Sequence, residues 1–120
     1  MDTATTSKRF EDLLVWQKAH SFVLDVYKVT RSVPKEEMYG LTSQFRRAAI
    51  SIPANIAEGF VKRGIPDKLR FYNISQGSLE ECRYYSILSR DIGYTTEESL
   101  MNKIDEISRM LNSYISKVKQ

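Results

Sequence analysis

A chain of 120 residues, 42% hydrophobic and 28% charged, is long enough to bury one core and too short to enclose a deep catalytic cleft as a monomer. Its single cysteine, Cys82, excludes a disulfide framework and cysteine-based zinc sites, and its single histidine, His20, excludes poly-histidine metal sites. The net charge of +3 leans towards acidic partners without naming one, and no window is apolar over the ~18 residues that a membrane span needs.

Residues 1–9 form a polar, threonine-rich stretch with no apolar signal-peptide core, which predicts a disordered tail on a cytoplasmic protein and places the folded domain at residues 10–120. Four helical segments account for that domain. The first is predicted from about Asp12 to Arg31, stopping before Val33-Pro34 because a residue that precedes proline is pushed out of helical geometry. Leu13, Trp16, His20, Val23 and Tyr27 make one apolar stripe along it, and Val15, Ala19, Phe22, Val26 and Val29 make another. An isolated bundle needs one apolar face per helix, so two stripes predict that this helix also meets another subunit.

The second helix is predicted from about Tyr39 to Phe60. Its apolar row is Leu41, Phe45, Ala48, Ile52, Ile56 and Gly59, beside a polar row of Gln44, Arg47, Ser51, Asn55, Glu58 and Lys62. Pro53 interrupts this apolar, alanine-rich run, and a proline in a helix interior costs about 3 kcal/mol, so packing has to compensate. The third helix opens at Pro66, a favoured first-turn residue, and ends near Gly93. Its small residues Ser75, Ser78, Cys82 and Ser89 match those of the second helix in period and predict close approach of the two. In the fourth helix, expected from Thr95 to about Val118, Thr95 and Glu98 have capping-box spacing, and Leu100, Ile104, Ile107, Leu111, Tyr114 and Val118 form one stripe. The pattern is that of an all-α, up-down-up-down antiparallel four-helix bundle.

Charge is unevenly distributed. From Gln44 to Tyr72 six basic residues (Arg46, Arg47, Lys62, Arg63, Lys68, Arg70) stand against Glu58 and Asp67, whereas seven acidic residues between Leu79 and Glu106 outnumber Arg83, Arg90 and Lys103. The six are the candidate nucleic-acid contacts, with Arg46 and Arg47 roughly 23 Å by helix rise from the loop that carries Lys62 and Arg63. Phe71, Tyr72, Tyr84, Tyr85 and Tyr94 offer stacking surfaces, although aromatics at helical spacing more often serve the core. Glu58 is spaced to pair with Lys62, and Arg47, Asn55 and Glu58 are candidates for an inter-subunit polar network. No second carboxylate or base converges on Glu58, His20 reads as a core or interface residue, and Cys82 reads as a buried thiol. No catalytic residue, metal site or cofactor is therefore assigned.

Several runs together resemble a known family: Phe10 to Ala19 (Phe-Glu-Asp-Leu-x-Val-Trp-Gln-Lys-Ala), Tyr39 to Ala49, Ser51 to Gly59, Gly77-Ser78-Leu79 with Glu81, and Gly93-Tyr94. This is the four-helix-bundle family encoded in intervening sequences of bacterial 23S rRNA genes, related to accessory proteins of diversity-generating retroelements. The likeness spans about residues 10–117 and departs at Cys82-Arg83-Tyr84-Tyr85, where more aliphatic and acidic residues are expected. It implies a ring-like homo-oligomer, a homopentamer, with no catalytic activity and a basic surface for structured RNA or an RNA–DNA hybrid. A reverse transcriptase is an implied protein partner. The alternative reading of the same charge asymmetry is a protein-interaction scaffold that docks an acidic protein.

Overall fold

Among residues 7–95 and 98–120, which the computed structural model describes, four α-helices follow one another: α1 (Leu14–Thr30), α2 (Leu41–Val61), α3 (Ile65–Ile92) and α4 (Ser99–Lys119). Short 3-10 turns at Phe10–Asp12 and Lys35–Glu37 precede α1 and α2. Each helix packs antiparallel on its chain neighbours and α4 closes back on α1, giving a four-helix bundle of 45 × 25 × 19 Å. The expected tail falls largely on residues 1–6, outside the described residues. Lys8 and Arg9 are already fixed, their backbone N–H groups donating to Asp12 Oδ2 at 3.3 and 3.2 Å.

Helix boundaries follow the local chemistry. Thr30 closes α1 with its hydroxyl donating to the Val26 carbonyl at 2.7 Å, four residues ahead of Pro34 (φ −53°, ψ 144°). Gly93 ends α3 in the left-handed region (φ 93°), where a residue without Cβ has no steric penalty, and Pro66 lies in the first turn of the same helix. The start of α4 corrects the sequence reading. The N-cap is Glu98, in helical geometry (φ −80°, ψ −17°) and without a side-chain cap bond, so α4 begins at Ser99, beyond Thr95 of the expected Thr95–Glu98 capping box. Thr96 and Glu97, in the middle of that box, lie outside the described residues.

The α2 apolar row is buried from Leu41 to Gly59, and Leu100, Ile104, Ile107, Leu111 and Tyr114 of α4 are buried opposite, as the periodicity predicts. Fully burying such side chains contributes about 1.5–3 kcal/mol each. The α2–α3 contact is the closest in the bundle. Ser75 Oγ donates to the Ile52 carbonyl and Ser78 Oγ to Ser51 Oγ, both at 2.8 Å, while Gly59 lies flat against the buried Tyr72 ring. Helix α2 continues unbroken through Pro53, which is itself buried.

The two α1 stripes diverge. Val15, Ala19, Phe22, Val23 and Val26 enter the core, whereas Trp16 and Tyr27 are half-buried and His20 is exposed. Within the chain His20 is thus not a core residue: its ring stacks on Trp16 at 5.1 Å between centroids and 7° between planes. Phe10, Trp16, His20 and Val23 then line a shallow apolar groove with Ile50, Pro53, Ala54 and Ala57 of α2.

Candidate nucleic-acid interface

An antiparallel bundle brings the starts of its odd helices and the ends of its even helices to one end. Here that end gathers positive charge from all four. Lys62 and Arg63 follow α2, Lys68 and Arg70 occupy the first turns of α3, Lys8 and Arg9 share a hollow with Phe60 and Val61, and Lys117 of α4 lines another beside Leu13, Leu14 and Val15. Glu11, Asp12, Glu58 and Asp67 are the acidic residues nearby, and Asp12 already accepts the two backbone N–H groups of the lysine–arginine pair.

These cations are held differently. Lys68 is partly buried, and its ammonium donates to the carbonyls of Phe60 (2.8 Å) and Gly59 (3.2 Å), with the Phe60 ring 5.7 Å from it. It therefore caps the carbonyl end of α2, where the helix dipole is negative. Burial lowers its pKa below that of a free lysine. Lys62 has left the helix (φ −70°, ψ 145°), so the expected i,i+4 pair with Glu58 does not form; its ammonium lies 5.1 Å from the Phe71 ring centroid. Arg70 also lies over Phe71, at 5.0 Å, with Asp67 3.7 Å away. Arg63 is exposed.

Arg46 and Arg47 are in the other half of the bundle. Arg46 is a clamp between helices: its Nε donates to Thr30 Oγ1 at 2.8 Å and its guanidinium lies 4.5 Å over the Tyr27 ring. Arg47 is exposed and donates to Gln44 Oε1 at 2.6 Å. Asn55 donates to the Ser51 carbonyl (2.8 Å) and Ser51 Oγ (2.9 Å), and Glu58 is exposed. Within one chain Arg47, Asn55 and Glu58 thus do not touch one another. The polar contacts on this row run instead from Asn55 through Ser51 to Ser78.

Of the five candidate stacking aromatics, Tyr72 belongs to the core, with its ring edge-on to Tyr114 at 5.3 Å. Tyr85 packs against Phe45, Tyr84 is exposed, and the Tyr94 hydroxyl donates to Glu37 Oε2 at 2.9 Å. That bond raises the Tyr94 pKa. Phe71 alone among the five lies in the basic cluster. Away from it, several cations pair with carboxylates: Arg83 with Asp105 (2.7 Å) and Glu80 (3.3 Å), Lys18 with Glu106 (3.5 Å), and Lys103 with Asp25.

Sequence reading missed Lys8, Arg9, Lys117 and Lys119 as members of this end. Bundle topology alone would have placed them there, since α1 begins and α4 ends where α2 ends. It also missed Tyr39, which is 95% exposed at the entry to α2. Among the described residues no three His, Cys, Asp or Glu converge as metal ligands, and no helix is long and apolar enough to cross a membrane. Cys82 is buried, and burial is the main cause that pushes its thiol pKa up to about 12.

A family model described as 23S rRNA-intervening sequence protein matches residues 11–113, nearly the whole bundle. The chain belongs to that family. Among solved structures, this intervening-sequence protein is similar to a protein of unknown function from the S23 ribosomal protein family of Bacteroides thetaiotaomicron. The two share 26% identity and a TM-score of 0.78, over 86% of this chain and 96% of the other. No curated protein matches.

Proposed function

We propose that this intervening-sequence protein is a non-enzymatic accessory protein that binds structured RNA, or an RNA–DNA hybrid, through the basic end of its bundle. The observation that carries the reading is the convergence of lysines and arginines from the α1 start, the α2 end, the α3 start and the α4 end on one end of the bundle, while Arg83 and Lys103, farther along α3 and α4, are paired with Asp105 and Asp25. The family description, which ties these proteins to the 23S rRNA gene, supports RNA as the polyanion. With no recognition helix or zinc module in the sequence, the contacts fall on phosphates and shape rather than base edges.

The apolar groove between α1 and α2 supports self-association, and we propose a ring-like homo-oligomer, a homopentamer, in which basic ends repeat. Repetition makes individually weak sites add. A reverse transcriptase is the protein partner proposed for such an RNA-bound ring. The test is a fluorescence-anisotropy titration with structured RNA, an RNA–DNA hybrid and duplex DNA across a salt series. Wild type is compared with Lys62→Glu/Arg63→Glu and, as a control in the other half, Arg46→Ala. The expected result is a negative log-log salt slope that shrinks by about 1 or more in the double variant, each lost phosphate contact accounting for about 0.7–0.9, and an unchanged slope in Arg46→Ala. Absence of binding at micromolar assembled protein would remove RNA from the reading and leave a scaffold for an acidic protein.

A further inference from the structure

Phe71 stands apart from the other aromatic side chains of the bundle. It is half-buried yet not among the residues packed on the core, and the groups lying over its ring are two cations, Lys62 Nζ at 5.1 Å and Arg70 Cζ at 5.0 Å. Arg63 is exposed next to Lys62. Lys68 is bound to the α2 carbonyls, so the negative end of that helix dipole, which would repel a phosphate here, is already neutralised. An aromatic ring, two long flexible cations that lie over it, of which Arg70 is also 3.7 Å from Asp67, and a capped helix end form the elements of a nucleotide subsite.

We propose that Phe71, with Lys62, Arg63 and Arg70, binds an unpaired nucleotide flanking a helical segment of RNA, the base stacking on the ring while the cations swing from the ring to the adjoining phosphates. This deepens the proposed RNA binding and rests on it. The exchange is favourable because a cation on a half-buried ring at the surface is held weakly, whereas moving it to a phosphate and placing a base on the vacated ring replaces that one contact by two. A ring face uncovered when the cations leave stacks on any base, so the subsite selects for an unpaired nucleotide rather than for sequence. Blunt duplex, whose bases are already stacked on one another, has only phosphates to offer.

The test uses a short RNA duplex, blunt or carrying an unpaired extension with 2-aminopurine, against wild type, Phe71→Leu and Phe71→Ala. Leucine keeps the apolar volume of a partly exposed position and removes the π face, and thermal melting confirms that each variant is folded. The expected result is quenching of 2-aminopurine by wild type and affinity about tenfold tighter for the extended RNA than for the blunt one. Both are lost in Phe71→Leu while blunt-duplex binding stays within about twofold. Equal affinity of wild type for both RNAs, or quenching that survives in Phe71→Leu and Phe71→Ala, overturns the subsite and leaves electrostatic RNA binding standing. Failure of both RNAs to bind overturns the subsite together with the RNA reading.

Discussion

Gly59→Ala is the sharpest probe of how α2 and α3 are joined. A Cβ built at this position would lie 2.5 Å from Tyr72 Cε1 and 2.9 Å from Cδ1, closer than side-chain carbons approach one another. The ring cannot swing aside, because Tyr72 is fully buried, edge-on to Tyr114, with its hydroxyl 3.4 Å from the Tyr114 hydroxyl. Overpacking of this kind costs about 1–3 kcal/mol. Against it stands the better helix propensity of alanine, about 0.5–1 kcal/mol in a helix interior. The steric term wins, for a net loss of about 1–2 kcal/mol and a fall in Tm of roughly 4–10 °C for a domain of this size. Chemical denaturation at fixed protein concentration reads the loss directly. A second arm, Gly59→Ala combined with Tyr72→Leu, tests the cause: once the ring is gone, adding the methyl group should cost little, giving a favourable coupling of about 1 kcal/mol or more. A single variant as stable as wild type, or a double variant in which the two losses simply add, would refute the reasoning.

Two further outcomes are expected. Ile50 is 43% exposed and lines the α1–α2 groove, so Ile50→Glu should leave the helical content of the chain unchanged while it shifts light-scattering mass from the proposed assembly towards the single chain; an unchanged assembled mass would place the contact elsewhere, and a wild type of single-chain mass would refute the assembly. Cys82, buried with its pKa raised to about 12, should resist alkylation at pH 8 in the native protein and react on unfolding. The sign for stability follows: the unfolded thiol ionises from about pH 8.5 and the native one does not, so this contribution to stability falls as pH rises from there towards about 12, and Cys82→Ala should flatten that part of the denaturation profile.

Most of the fold was legible in the sequence because periodicity and turn chemistry agreed. The α2 apolar row, the α4 stripe and the left-handed stop at Gly93 each rest on nearest-neighbour physics that one strand of text contains. The misses share a different cause. Lys62 has ideal spacing to Glu58, yet it turns out of the helix to lie over Phe71, and the end of a helix decides such a pair before its charges do. Arg46 reads as a surface cation and proves to be an inter-helix clamp, since Thr30 and Tyr27 reach it only across the α1–α2 packing. Lys8 and Arg9 lie about fifty residues from the α2 end they join, and no local pattern spans that distance.

The groove and the cluster also differ in direction. The apolar groove runs along the flank of the bundle, from Phe10 in the turn before α1 to Val23 on α1 and from Ala57 back to Ile50 on α2, whereas the cations crowd its tip. A contact made flank to flank therefore leaves the tip open to solvent, and rotation about an axis parallel to the helices would turn every tip the same way. Copies arranged so would form a crown with a single positively charged rim, and a polyanion would approach it from one side only.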